Sequence, residues 1–316
     1  MASALETFAT EQVPDGAEYT GVLRTPQASP VMSVIGVALG VVTYVLAAGV
    51  VTPALAWLYW RATGAPGTFE ETYRQLTTYQ VPFGMSAVQL GIATLIPISL
   101  ALVLFVHRVR PGYLLSVRPG MRWGLLGRML AVALVVFAVV LVVQTSLSTQ
   151  GFHPSPQPGL AWFMLACLLT SPLQAAAEEL FFRGYLMQSL GALVPNHWFG
   201  IGASALIFAL FHGVQNPWLF LDRFAFGVLA GYLAVRTGGL EAGIAAHVVN
   251  NILAFLLAGL TIGIAQVKGL QSIGPLDAAG DLVLFGLFTL AALLLARRLR
   301  VQTRTVRPGT PARTRR

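Results

Sequence analysis

Cysteine is almost missing from this 316-residue chain: Cys167 stands alone in an apolar stretch. Its isolation excludes intramolecular disulfides and any cysteine-based structural zinc site, and its own role reads as a small core residue. Charge is nearly as scarce. Asp, Glu, Lys and Arg make up 10% of the residues, where a soluble domain carries about 25%. With 56% hydrophobic residues and a mean hydropathy of +0.72, an ordinary soluble globular protein is excluded. A basic start is also lacking, because Glu6, Glu11, Asp15 and Glu18 precede the first base, Arg24. No cleaved secretory signal is expected from such a start. Lysine occurs once, at Lys268, among 20 basic residues; the arginine bias suits a GC-rich genome and a bacterial source. Neither an internal repeat of fixed period nor a soluble domain is visible.

What the chain does contain is long uncharged runs. Spanning the hydrocarbon core takes about 20 apolar residues in a helix. Val31 to Trp60 carries no charge, and none occurs between Arg128 and Glu178. Apolar runs between polar breaks predict an all-α, polytopic transmembrane bundle of about eight helices near 31–60, 81–106, 124–146, 160–190, 198–213, 218–236, 240–260 and 279–297. The organisation expected is a polar acidic segment 1–30, transmembrane helices over 31–146, a core over 160–260, a last span 279–297 and an Arg-rich tail 298–316. Both the acidic start and the tail are expected to be disordered.

Net charge is +8 and the pI about 10.2, a profile that raises nucleic-acid binding in a soluble protein. Placement of the charge argues against that partner. Arg108, Arg110, Arg118 and Arg122 share one loop, and eight basic residues lie between Arg297 and Arg316. Such clusters mark cytoplasmic segments. An even number of spans puts both termini on that side, in a bacterial plasma membrane, and leaves the uncharged loop 147–158 outside. The tail sets topology, with binding to anionic lipid as a secondary role. Trp57, Trp60, Trp123, Trp162, Trp198 and Trp218 all fall near predicted helix ends, where amphipathic rings favour the interface. Gly36-x-x-x-Gly40 and Gly227-x-x-x-Gly231 allow close helix approach within the monomer or between monomers.

Ionisable groups inside a membrane helix are costly and are a functional hypothesis by default. They gather at Glu178-Glu179-x-x-x-Arg183, at Phe208-x-x-x-His212 and at His247-x-x-Asn250-Asn251. Residues four apart share a helix face, so Glu179 is expected to pair with Arg183 through a charge-assisted, two-pronged hydrogen bond. Glu178 then points elsewhere, along a stripe with Gln174 and Ser171, and is the freer carboxylate. If the fourth helix continues past Arg183 to about Leu190, Glu178 lies about 18 Å above the following turn and His212 about 21 Å. His247 and Asn251 rise about 12 and 18 Å on their own helix. One polar chamber, open toward the cytoplasmic half, becomes feasible. Within it Glu178 and His212 could hold and deprotonate a water, and His247 and Asn251 could donate to the oxyanion formed when that water attacks a carbonyl. For Glu179 and Arg183 alone a structural ion pair is the better reading.

At these residues the sequence resembles the CAAX prenyl endopeptidase and bacteriocin-processing family of intramembrane proteases. The resemblance covers about residues 160–260 and leaves the first three helices unaddressed. It implies Glu178 as catalytic base, His212 as its partner on water, His247 and Asn251 as oxyanion donors, and Glu179 and Arg183 as supporting residues. It also implies a peptide or protein substrate, lipidated in the eukaryotic members, which are cut at the cytoplasmic side. No cofactor is expected. The alternative is a divalent metal such as zinc held by Glu178, His212 and His247, a ligand set that catalytic zinc uses, although the local His-Glu-x-x-His spacing is absent. Rival readings are a Ser204/His247 dyad, a proton-coupled transporter, and a non-enzymatic scaffold or immunity protein. Substrate identity and oligomeric state are not legible in the sequence.

Overall fold

A computed structural model describes residues 10–64, 67–147 and 152–306. The first nine residues with Glu6, the loop tip 148–151 and the end of the tail from 307 lie outside the described residues. Among the described residues the chain is helical throughout. Its helices are α1 (Pro30–Thr63), α2 (Phe69–Thr77), α3 (Pro82–Ala93), α4 (Leu95–Phe105), α5 (Trp123–Leu147) and α6 (Leu160–Glu178). A π-helical segment (Glu179–Leu186) leads on to α7 (Met187–Leu193), α8 (His197–Leu210), α9 (Pro217–Thr237), α10 (Glu241–Leu260), α11 (Ile264–Lys268) and α12 (Pro275–Arg298).

Local chemistry sets several of these ends. The Ser29 side chain accepts the Met32 amide ahead of Pro30 at the start of α1, and Asn216 accepts the Leu219 amide ahead of Pro217 on α9. Both are N-caps followed by a proline that suits the first helical turn. Gly64 and Gly238 close the same two helices in the left-handed conformation that glycine adopts without strain.

Seven spans are long and apolar enough to cross a membrane, with α3–α4 and α6–α7 each counting as one. The protein is therefore an integral membrane protein built as a polytopic helical bundle. The expected fifth span corrects to a shorter element: α8 has 14 residues, about 21 Å against a hydrocarbon core of about 30 Å. The α8–α9 turn nevertheless meets the loop that leads into α12. Asn216 donates to the carbonyls of Gln271 and Ile273. Eight passes result, and the two ends of the described chain meet. Thr305 exchanges backbone hydrogen bonds of 3.0 Å with Gly16 and Ala17, and Arg304 pairs with Glu18 at 2.8 Å.

This pairing corrects the expectation of disorder for residues 10–29 and 299–306. Tyr19, Val22 and Leu23 are fully buried under the bundle, with the Tyr19 hydroxyl donating to the Leu114 carbonyl. Arg24 donates to the carbonyls of Gly191 and Val194 at the end of α7. Three apolar anchors in a polar segment, together with satisfied backbone partners, are enough to order it. We call this end of the bundle the terminal end and the other the far end.

The two glycine pairs have intramolecular explanations. A Cβ at Gly36 would collide with the Tyr185 hydroxyl, one at Gly40 would press on Leu102 and Phe181, and Gly227 and Gly231 face Ala205 and Ile201. Helix α1 is otherwise peripheral, with 11% of its most apolar window buried against 50% for α10. The tryptophan pattern agrees with the spans. Trp57, Trp123, Trp162, Trp198 and Trp218 are exposed near helix ends.

Candidate active site

The site is built where α6 passes into the π-helical segment. Glu178 is the last α-helical residue and Glu179 the first of the wider turn. A π turn admits one extra residue, and such turns recur at functional sites. Here it lets the segment Glu179–Leu186 bury every side chain, the charged Glu179 and Arg183 included. The continuous run Leu160–Leu193 confirms that the fourth span continues well past Arg183.

A cavity of about 720 Å³ is lined by Gln174, Glu178, His212, His247, Asn250 and Asn251, together with Tyr44, Tyr79 and the rings of Phe181, Phe182, Phe208 and Phe226. Three motifs up to 73 positions apart in sequence therefore converge, as depth and helical phase predicted. The His247 ring sits between the two glutamates. Its Nδ1 lies 3.0 Å from Glu179 Oε1, and its Nε2 lies 3.6 Å from Glu178 Oε2. Asn251 donates through Nδ2 to Gln174 Oε1 at 2.9 Å. His212 places Nδ1 2.8 Å from the Phe208 carbonyl. A carbonyl only accepts, so that nitrogen carries the proton, and in the neutral ring Nε2 offers its lone pair to the cavity.

Glu179 and Arg183 pair as expected, at 3.0 Å between Oε1 and Nη1 and with both side chains out of solvent. The two-pronged fork corrects to a single ionic contact. Glu179 Oε1 also takes His247, and Glu179 Oε2 is left against Gly243 without a hydrogen-bond partner. The guanidinium lies over the Phe208 ring at 4.0 Å and the Phe226 ring at 5.2 Å, so cation–π attraction replaces the missing hydrogen bonds. Glu179 thus holds the far nitrogen of His247, and its side-chain exposure of 0% contrasts with 13% for Glu178.

Ser204 does not face His247. It is buried and donates to the Phe182 carbonyl at 2.6 Å, tying α8 to the π-helical segment. Replacing Ser204 by alanine is therefore expected to cost about 1 kcal/mol of stability and to leave catalysis intact. A thermal melt together with a turnover measurement checks both, and loss of turnover with the fold preserved would revive the serine dyad.

The zinc alternative gains no support from the geometry. Among the described residues no three His, Cys, Asp or Glu groups are placed to hold a metal ion.

Sequence reasoning missed charged groups in the same wall: Asp222 and Arg223 on α9, Lys268 at the end of α11, and Asp281 on α12. The signal was present, since Asp222, Arg223 and Asp281 are charges inside predicted spans and Lys268 is the single lysine. The Lys268 ammonium lies 5.1 Å from the Tyr79 ring centre. Burial pulls its pKa down, while the negative charge of Glu178 works in the opposite direction. The lining also gives the chamber a direction relative to the termini. Its walls take residues from the far end, Tyr79, Val214 and the 267–273 stretch, and none from the 107–122 loop or from the strap that residues 10–29 and 299–306 form across the terminal end. It opens away from the termini because the strap, Tyr185 and the Arg183 pair fill the space toward them.

The helical membrane bundle thus holds one cavity lined by Glu178, two histidines and two asparagines, with Glu179 buried behind His247. Residues 159–253 match the family of Rce1-like type II CAAX prenyl endopeptidases. The match includes all three motifs, and the resemblance read from them is borne out. Over 131 residues the chain is 34% identical to the uncharacterized protein YyaK of Bacillus subtilis (strain 168), across 39% of this chain and 42% of that protein. The chain thus spans well under half the length of this curated relative. No solved structure matches.

Proposed function

We propose that this protein is an intramembrane endopeptidase that hydrolyses a peptide bond of a membrane-associated or lipidated polypeptide with activated water. One observation carries the reading: Glu178 on α6, His212 in the turn after α8, and His247 and Asn251 on α10 line one cavity inside an apolar bundle. The match to Rce1-like endopeptidases over the same residues supports a CAAX-protease-like enzyme.

In the proposed reaction a water sits between the Glu178 carboxylate and the His212 Nε2. Glu178 takes one proton, and the oxygen attacks the carbonyl carbon of the scissile bond. The negative charge that develops on the carbonyl oxygen is met by Asn251 Nδ2–H and by His247. Donation from His247 Nε2 requires both ring nitrogens to be protonated, and Glu179 supplies counter-charge behind the ring. Glu178 then returns its proton to the leaving nitrogen as the C–N bond breaks. Charge balances at each step without a metal. Gln174 fixes the Asn251 amide through its oxygen acceptor.

Purified protein in proteoliposomes, given transmembrane and lipid-anchored peptides in ¹⁸O-water, tests this. The expected result is a new carboxylate carrying one ¹⁸O, formed at the same rate after treatment with a strong chelator. Abolition by the chelator and recovery with zinc would overturn the metal-free step. Absence of cleavage for every membrane-anchored substrate would overturn the protease reading and leave a scaffold.

A further inference from the structure

The catalytic cavity opens on the end of the bundle that carries few positive charges. Arg24, five arginines in the 108–128 stretch, Arg236 and four in the 297–304 stretch all lie at the terminal end. Outside the cavity's own Arg223 and the buried Arg183, the far end has only Arg61, Arg74 and Lys268 among the described residues, together with Glu70, Glu71 and Asp277. An excess of eleven against three sets the terminal end in the cytoplasm, since flanking Lys and Arg determine orientation. Hydrogen bonding fixes which end each loop belongs to. The α8–α9 turn is held to the 271–273 backbone, and Gln157, ahead of α6, joins Gly259 and Ile264 beyond α10.

Closure of the terminal end is the second observation. Tyr19, Val22 and Leu23 pack beneath the bundle. Arg122 grips Glu241 at 2.8 and 2.6 Å, locking the start of α10 to the loop ahead of α5. The fully buried stretch from Glu179 to Leu186 fills the interior between this floor and Glu178. On the far side the wall is lined by Val214, which is 78% exposed, and by Leu270 and Gln271 in a loop without regular structure. A polypeptide reaching Glu178 from the cytoplasm would have to displace the core. One arriving from the far side meets an open wall.

We propose that the protein receives its substrate from the non-cytoplasmic face of the membrane. The substrate class is an exported, membrane-anchored chain or the outward-facing terminus or loop of a membrane protein, with the scissile bond drawn inward to the depth of Glu178. This rests on the hydrolase reading for what is done to the substrate, but the side of access is independent of it. The inference differs from cleavage at the cytoplasmic side, which the family resemblance implies.

Cysteine accessibility tests the side without requiring turnover. Cys167 is fully buried, so the native chain is a silent background. Val214→Cys and Leu270→Cys mark the cavity mouth by two separate loops, and Arg118→Cys marks the terminal end. Sealed right-side-out vesicles are treated with a membrane-impermeant maleimide, before and after permeabilisation. The expected result is labelling of V214C and L270C in sealed vesicles, with R118C labelled only once they are opened. Labelling of R118C in sealed vesicles, or loss of label at both mouth positions until they are opened, overturns the proposal. If hydrolysis is absent while the expected pattern holds, the protease reading fails and the side of access stands.

Discussion

Replacing Glu178 by glutamine is expected to lower peptide hydrolysis by about 10²–10⁴-fold, the range a positioned general base supplies, while leaving thermal stability close to that of the parent. The amide keeps the size and the hydrogen-bonding reach of the carboxylate but accepts no proton from water. Structural cost is small because Glu178 lies in the cavity wall, and the His247 Nε2 stands 3.6 Å away. The same change at Glu179 serves as contrast. Glu179 is fully buried and its Oε1 answers both Arg183 and His247, so its neutralisation lowers stability as well as activity. Two adjacent glutamates thus separate by the quantity affected: turnover alone at one, turnover with melting temperature at the other. Wild-type turnover in Glu178→Gln would sink the assignment and shift proton transfer to His212.

The pattern of costs explains what could be read from sequence. Apolar runs report directly on lipid, so the spans were legible to within a few residues, and the need for Glu178 and His212 to share a level pointed to a fourth span running on to about Leu190. Helical phase separated Glu178 from Glu179, and depth brought His212 level with them. The π-helical turn left no such trace. Its cause lies in contacts from other helices: Ser204 on the Phe182 carbonyl, and the Phe208 and Phe226 rings on Arg183. Order in residues 10–29 was hidden for a similar reason. The composition there is polar, but its partners are Thr305 and Arg304, almost three hundred positions away. The end at which the cavity opens was not legible, because helix rise gives the level of a side chain and says nothing about which end is plugged. Asp222, Arg223 and Asp281 needed only the rule already applied to Glu178, that charge inside a span calls for a reason.

Arg183→Met is expected to be the most destabilising single change, costing about 3–5 kcal/mol, because removing one member of a buried pair strands the other charge. Arg183 sits within an apolar shell, 1% exposed, with Glu179 at 3.0 Å and two aromatic faces over its guanidinium. Methionine fills much of the same space, so a large loss would measure the stranded carboxylate more than a void. Pairing it with Glu179→Gln isolates that term. The double variant E179Q/R183M removes both charges and is expected to recover a substantial part of the loss, as replacement of whole buried pairs by apolar groups often does. Turnover should not recover with stability, because Glu179 also holds the Nδ1 of His247, and a glutamine there no longer provides the counter-charge an imidazolium requires. Melting curves of the two single variants and the double variant in one detergent give the coupling energy. If the single and double variants melt together, Arg183 acts through packing alone; if the double variant also regains turnover, Glu179 has no part in orienting His247.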